Sequence, residues 1–424
     1  MERATAVEAI TRDLYFVVAQ RLAPLLLASL DRPMAEREVE LFFSESPALV
    51  EHLTPEERAA VRKRLASELA GYGPLDPLME DPEVTDIMVN RFNAVYVARA
   101  GRIELAEGVR FWDDGHLRRI IDRIAQQSGR RVSQESPVMD ARLPDGSRAH
   151  VVLPPVAVDG PVLTIRKFLR RFMSAEELVR VGTMTQEMAD VLRVLVEDRA
   201  NILIAGAPGT GKTTLLNVLG SFIPHDERVV TIEDTAELQL PVGNCVRLEA
   251  NPGRPDAPEV TIRDLVRAAL RMRPDRIIVG EVRGPEALEM LQAMHAGHRG
   301  SYSTIHASSC RNALSRLEAL VLQAGVDYTV RAIREIIAQS VHIVIWMQQL
   351  GGRRVVGEMA EVTGMEGDVL QTQPIFRFNA AKGRHEWTGI VPAIWGRLRE
   401  EYVVPPVFER LQGRGVGGAR AGGW

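Results

Sequence analysis

The sequence predicts an α/β fold: a mostly parallel sheet with helices on both faces, preceded by an α+β domain and a small helical appendage. Three observations predict it. From Gln186 onward, apolar strands at 201–205, 228–232, 276–280 and 300–304 alternate with helical segments at 212–221, 262–271, 285–294 and 312–323. Such alternation builds parallel sheets. Between about 75 and 165 the pattern is one of short strands and turns, and before about 70 it is helical.

In the helical part, residues 56–70 follow Thr54-Pro55, an N-cap with proline at the first helical position. Val61, Leu65 and Leu69 recur along one face, and Gly71-Tyr72-Gly73-Pro74 ends the helix. In the α+β part, 87–90 and 94–97 flank Arg91-Phe92-Asn93 as a hairpin, and 117–128 reads as a helix. Pro144-Asp145-Gly146-Ser147 is a turn, followed by strands at 148–153 and 162–167. Residues 167–185, with a short helix at 175–181, read as a linker. Past 340 the chain turns strand-rich again, at 341–347 and 354–362. The expected division is an appendage at 1–73, an α+β domain at 74–166, the linker at 167–185, the α/β domain at 186–412 and a flexible glycine-rich tail at 413–424.

Composition bounds the function. At 424 residues the chain holds two or three domains, and 46% hydrophobic residues suffice for their cores. A net charge of −4 gives no global pull toward nucleic acid or anionic lipid. Two cysteines, Cys245 and Cys310, make no disulfide framework. The N-terminus mixes both charge signs, and the short apolar run at 23–30 cannot span a bilayer. The sequence therefore reads as that of a soluble, cytoplasmic protein whose membrane contact goes through partners.

The strongest motif is Gly206-Ala207-Pro208-Gly209-Thr210-Gly211-Lys212-Thr213, which fits G-x-x-x-x-G-K-[ST] without a mismatch. An apolar strand precedes it, and a helix beginning with Thr214 follows. The glycines let backbone N–H groups close around phosphates, and the helix start adds a positive dipole end. Lys212 is placed to reach the β- and γ-phosphates of ATP, and the Thr213 hydroxyl to meet Mg²⁺.

Hydrolysis needs carboxylates as well. Asp275 to Glu281 is an apolar strand bracketed by acids. Asp275 starts it, about 20 Å from the other end at ~3.3 Å per residue, so Glu281 is the candidate for polarising the attacking water. Glu233 and Asp234 close another strand and could hold magnesium or a metal-bound water. His298 precedes a predicted strand and His306 follows it; taken alone, each reads as structural or catalytic. No second pair of ligands stands near them for zinc.

The order of these motifs carries a resemblance. The phosphate loop, Thr231-Ile232-Glu233-Asp234, Gly280-Glu281-Val282-Arg283, and Gly297-His298 with Thr304-Ile305-His306 resemble the Walker A, Asp box, Walker B and His box of the secretion-superfamily ATPases. These are the motors of type II and type IV secretion and of type IV pili. Leu143 to Arg148, Leu163 to Phe168, Arg271 to Arg276 and Glu361 to Asp368 look most like the tight-adherence (Tad) pilus branch. The resemblance covers about residues 75–400. It implies a RecA-like ATPase domain behind a PAS-like α+β domain. It also implies a homohexamer with ATP and Mg²⁺ as cofactors, and an inner-membrane platform protein as partner at the inner face of the cytoplasmic membrane. Arg148 and Arg166 match positions that complete the site in relatives. Gly284 stands where the family often has Asp, so no role for that Asp carries over. Two isolated cysteines exclude the four-cysteine zinc module of some members.

Two other classes compete with a motor. A small-molecule kinase would need an arginine-rich lid after the phosphate-loop helix, and none is present. A nucleic-acid translocase would show basic loops or stacking aromatics; aromatic residues are only 5% and the net charge is negative.

Overall fold

The protein is described by a computed structural model over residues 2–21, 31–99, 102–168, 173–251, 253, 258–398 and 405–416. The apolar run at 23–30 and the end of the expected tail, 417–424, lie outside those residues. The chain forms two compact units, Met1–Arg170 and Arg171–Trp424.

The first unit opens with helices Glu2–Arg21, Arg32–Glu45 and Pro55–Ala70. They share a core of Val18, Val39, Phe43, Val61 and Leu65, all buried. Thr54 starts the third helix through a reciprocal capping box with Glu57. An antiparallel six-stranded sheet follows. It consists of β1 (Val84–Arg91), β2 (Ala94–Arg99), β3 (Arg102–Leu105), β4 (Val138–Arg142), β5 (Arg148–Val152) and β6 (Val162–Arg166), in the order β3-β2-β1-β6-β5-β4. Helix Asp114–Gln127 covers one face with Leu117, Ile120, Ile121 and Ile124. Strict alternation along β4, β5 and β6 buries Met139, Ala141, Ala149, Val151, Leu163 and Ile165 on that face. The helical segment is tied to this domain. His116 Nε2 lies 2.6 Å from Glu68 Oε2, and Arg123 donates to the carbonyls of Gly71 and Glu68 at 2.5 and 2.6 Å.

The second unit is built on nine strands. β7 (Ile202–Gly206), β8 (Arg228–Glu233), β9 (Asn244–Glu249), β10 (Arg276–Val279), β11 (Tyr302–Ile305) and β12 (Ile343–Leu350) lie parallel to their neighbours. β13 (Arg353–Glu366), β14 (Val369–Asn379) and β15 (Arg384–Trp387) extend the sheet antiparallel. The order is β15-β14-β13-β12-β7-β11-β10-β8-β9. Helices pack on both faces, because the central strands are apolar on both sides: Ile202 and Ile204 join one core, Leu203 and Ala205 the other.

Residues expected as linker divide between the units. Lys167 Nζ donates to the carbonyls of Leu78 and Asp81 in the first, while Ala175 and Leu178 pack into a core of the second. At the other end, helix Pro406–Val416 runs into the expected tail.

Candidate functional site

In a parallel sheet the carboxyl ends of the strands share one edge, where loops can meet a ligand. β7 delivers the loop 206–213 to that edge, and helix Lys212–Gly220 leaves from it. Gly206 is required by close approach: a Cβ there would stand 2.5 Å from Thr210 Oγ1 and 2.7 Å from the Met347 carbonyl oxygen. Gly209 (φ +75°) and Gly211 (φ +94°) hold left-handed conformations that turn the loop. Ala207, Pro208 and Gly209 are exposed, while Thr210 is buried and its hydroxyl donates to the Ala207 carbonyl at 2.8 Å. Gly211 caps the helix with no side chain over its first N–H groups. Those groups and the dipole form an anion site. Thr213 and Thr214 sit half-buried in the first turn.

Lys212 is buried, and burial holds its ammonium below the usual lysine range, against the opposing pull of Glu281. Nζ donates to the carbonyls of Gly206 and Ala207, each at 3.1 Å, and lies 3.3 Å from His306 Nδ1. His306, just past β11, turns its Nε2 to within 2.5 Å of Glu281 Oε1. Glu281 follows β10 by two residues; its Oε2 accepts from Arg283 Nη2 at 2.7 Å. Oε1 is buried and lacks an aligned hydrogen-bond donor among the described residues. Val282 N–H donates to the Thr304 carbonyl, and the Thr304 hydroxyl to the Gly280 carbonyl, which fixes the acid against β11.

The structure separates the roles of Glu233 and Asp234, which the sequence pairs as metal holders. Glu233 is buried at the end of β8. Its Oε1 accepts from the backbone N–H groups of Glu237 and Leu238 at 2.9 and 3.0 Å, and Oε2 from Leu238 at 3.2 Å. Burial pushes its carboxyl up to about 7, the two backbone donors opposing. As built, Glu233 holds the 234–238 segment. Asp234 is exposed, with Arg283 Nη1 3.8 Å away. Arg283 thus faces both Glu281 and Asp234, a link the sequence did not single out. Glu286 fixes Arg283 further by accepting from the N–H groups of Arg283 and Gly284 at 2.6 and 2.8 Å.

His298 requires a correction. It precedes β11, so it lies at the amino edge, with β11 between it and His306. There its Nδ1 is 3.3 Å from the Pro274 carbonyl, and the Ser301 hydroxyl donates to the His298 carbonyl at 2.8 Å. Four strand residues separate the edges by about 13 Å, so His298 does not join Lys212 and Glu281 within the chain. Asp275 is at the amino edge too, as its place at the strand start predicts; Oδ2 accepts from Arg228 N–H.

In the first unit, Arg148 and Arg166 are register partners on β5 and β6. Arg142 pairs Arg148 from β4, and Asp86 pairs Arg166 from β1. In-register residues share a face, so three arginines line one row on the side opposite helix Asp114–Gln127. Arg166 Nε lies 3.4 Å from Asp86 Oδ1. Arg142 escaped sequence reading, although its parity on β4 matches its neighbours.

The sequence profile of the family described as Type II/IV secretion system protein matches residues 68–372. This chain belongs to that family. It is 36% identical over 313 residues to a putative conjugal transfer protein of Mycobacterium tuberculosis, covering 72% of this chain and 88% of that one. It is 37% identical over 311 residues to the type IV secretion system protein PtlH of Bordetella pertussis, covering 66% and 91%. Its fold is similar to the X-ray structure of the ATPase DotB of Yersinia pseudotuberculosis, with a TM-score of 0.50 at 16% identity over 66% of this chain and 76% of that one. The family and its phosphate loop support ATPase activity in general. The relatives' names point to conjugal transfer and type IV secretion.

No group of three or more His, Cys, Asp or Glu side chains among the described residues is placed to hold a metal unaided. Magnesium bound together with nucleotide needs no such cage: one or two protein oxygens and the phosphates suffice. The Thr213 hydroxyl, with Asp234 at the same edge, fits that mode.

Proposed function

We propose that this chain is a hexameric motor ATPase that couples ATP hydrolysis to assembly of a Tad-like or type IV-like pilus or secretion apparatus, with retraction as the alternative direction of the same ATP-driven work. The observation that carries the ATPase part is the contact chain Lys212–His306–Glu281, which joins the phosphate-loop lysine to the acid of a neighbouring strand. In this reading the N–H groups from Gly209 to Thr214 hold the phosphates, and the Thr213 hydroxyl and Asp234 stand on the metal side. Magnesium would neutralise phosphate charge and polarise the γ-phosphate. Glu281 orients and deprotonates the attacking water, His306 positions Glu281, and Arg283 holds its other carboxylate oxygen. Arg148 and Arg166 arrive late, by domain closure or from a neighbouring subunit, and stabilise transition-state charge.

The motor acts at the inner face of the cytoplasmic membrane on a platform protein. Among the described residues no helix is long and apolar enough to cross a membrane. The second reading, export of protein or DNA through a type IV secretion system, is favoured by the names of the relatives. Deletion in the source bacterium, scoring surface filaments against protein or DNA export, separates the two. The motor itself is tested by gel filtration and turnover. A hexamer with a non-hydrolysable ATP analogue, and an Arg148→Ala variant that binds ATP but turns over more slowly, are expected. A monomer in all nucleotide states, or wild-type turnover in Arg148→Ala, contradicts the reading.

A further inference from the structure

β12 and β13 form a hairpin whose tip lies at the carboxyl edge. β12 runs parallel to β7, with Met347 opposite Gly206, and β13 returns with Arg354 opposite Gln349 and Arg353 opposite Leu350. The two turn residues, Gly351 (φ +54°) and Gly352 (φ +83°), both have positive φ. This is the tight two-residue turn that matches strand twist. It leaves no slack in the register, so the first residues of β13 are held beside the phosphate loop.

Arg354 lies against that loop. A Cβ placed on Gly211 would be 3.5 Å from Arg354 Cδ and 3.7 Å from Met347 Cε. Gly211 is the residue before Lys212, at the start of the helix whose N–H groups face the anion site. Beyond Cδ the arginine has only Nε, Cζ and the two terminal nitrogens to place. Its side chain is exposed, and no hydrogen bond or ion pair occupies it among the described residues. Other arginines of this unit differ: Arg283 is paired with Glu281, Arg377 with Glu358 and Arg334 with Glu318. A guanidinium is a rigid fork of donors that matches phosphate oxygens, and it is always charged. An unpaired one at the mouth of an anion site adds attraction there that a buried, carbonyl-bound Lys212 does not supply alone.

We propose that Arg354 is a nucleotide-binding residue that contacts the phosphate tail from the β12–β13 hairpin of the same chain. The inference rests on the phosphate loop binding ATP, as proposed above. Neither the motif order nor its acids indicate Arg354; only the parallel register of β12 with β7 brings it there.

The test is equilibrium binding of Mg·ATP to the full chain as wild type, Arg354→Gln and Arg354→Lys, with tripolyphosphate as competitor and melting curves as a fold control. Arg354→Gln is expected to weaken ATP about tenfold, or ~1.4 kcal/mol, to weaken tripolyphosphate equally, and to flatten the salt dependence of binding. Arg354→Lys should recover most of the loss. ATP affinity within about twofold of wild type in Arg354→Gln (under ~0.5 kcal/mol), with wild type binding normally, overturns the inference alone. So does a loss seen with ATP but not with tripolyphosphate, which would place Arg354 on the base or sugar. A wild-type chain that binds no ATP overturns the nucleotide site itself.

Discussion

The two edges of the nine-stranded sheet are made by the same strands, yet they treat charge in opposite ways. At the amino edge Arg276 is fully buried. It donates to Glu227, to the Tyr302 hydroxyl at 2.7 Å and to the Val196 carbonyl at 2.8 Å. Asn201 joins three segments there, donating to His342 Nδ1 and the Ser340 carbonyl and accepting from Ser301 N–H. At the carboxyl edge Lys212, His306, Glu281, Arg283 and Asp234 form a chain open to solvent along much of its length. Buried charge is tolerated only when fully partnered. The amino edge meets that demand and so fixes the strands. The carboxyl edge leaves its charges partly exposed, where they can meet phosphate.

Breaking the amino edge should cost stability rather than chemistry. Among the described residues, Arg276→Met leaves the buried Glu227 carboxylate with only the half-exposed Arg199 as partner, at 3.0 Å. We expect a loss of about 3 kcal/mol in denaturant unfolding. The double variant Arg276→Met/Glu227→Leu should recover much of it. A single variant as stable as wild type would mean that the edge is not a structural anchor.

The two histidines sharpen the contrast. His306→Ala should lower ATP turnover roughly tenfold or more, at least ~1.4 kcal/mol in the barrier. His298→Ala should leave turnover within about twofold (under ~0.5 kcal/mol). Equal losses in the two variants would erase the distinction between the edges.

A smaller effect is expected in the pH dependence of stability. The folded Glu233 carboxyl lies at about 7, above its unfolded value near 4.5. Between those values the folded chain holds the extra proton, so stability falls as pH rises from about 4.5 to 7, by at most about 3 kcal/mol. Glu233→Gln keeps an acceptor for the Glu237 and Leu238 N–H groups and removes the titration. Its melting temperature should change less across that window than that of wild type; an unchanged slope would dissociate Glu233 from it.

Much of the carboxyl edge was legible in the sequence because local rules govern it. A glycine-rich loop between an apolar strand and a helix announces itself, and an acid just past an apolar strand must lie at the strand's end. His306 and Glu281 were found this way. What escaped depends on pairing between distant segments. Arg354 reaches the loop only through the register of β12 with β7. Arg142 joins Arg148 and Arg166 only through the β4–β5–β6 register. His298 went astray for a related reason: it shares a motif with His306, but a strand lies between them and carries them to opposite edges. Glu233 was placed at the right edge, but its capture by backbone donors five residues on depends on the path of a loop that no pattern specifies.

In the proposed mechanism Glu281 does the chemistry at an edge whose binding groups are separate from it. Single-turnover hydrolysis and Mg·ATP binding, measured side by side on Glu281→Gln, test it most directly. ATP affinity is expected within about threefold of wild type (under ~0.7 kcal/mol), with a rate lower by roughly a hundredfold or more. Hydrolysis at the wild-type rate would contradict it.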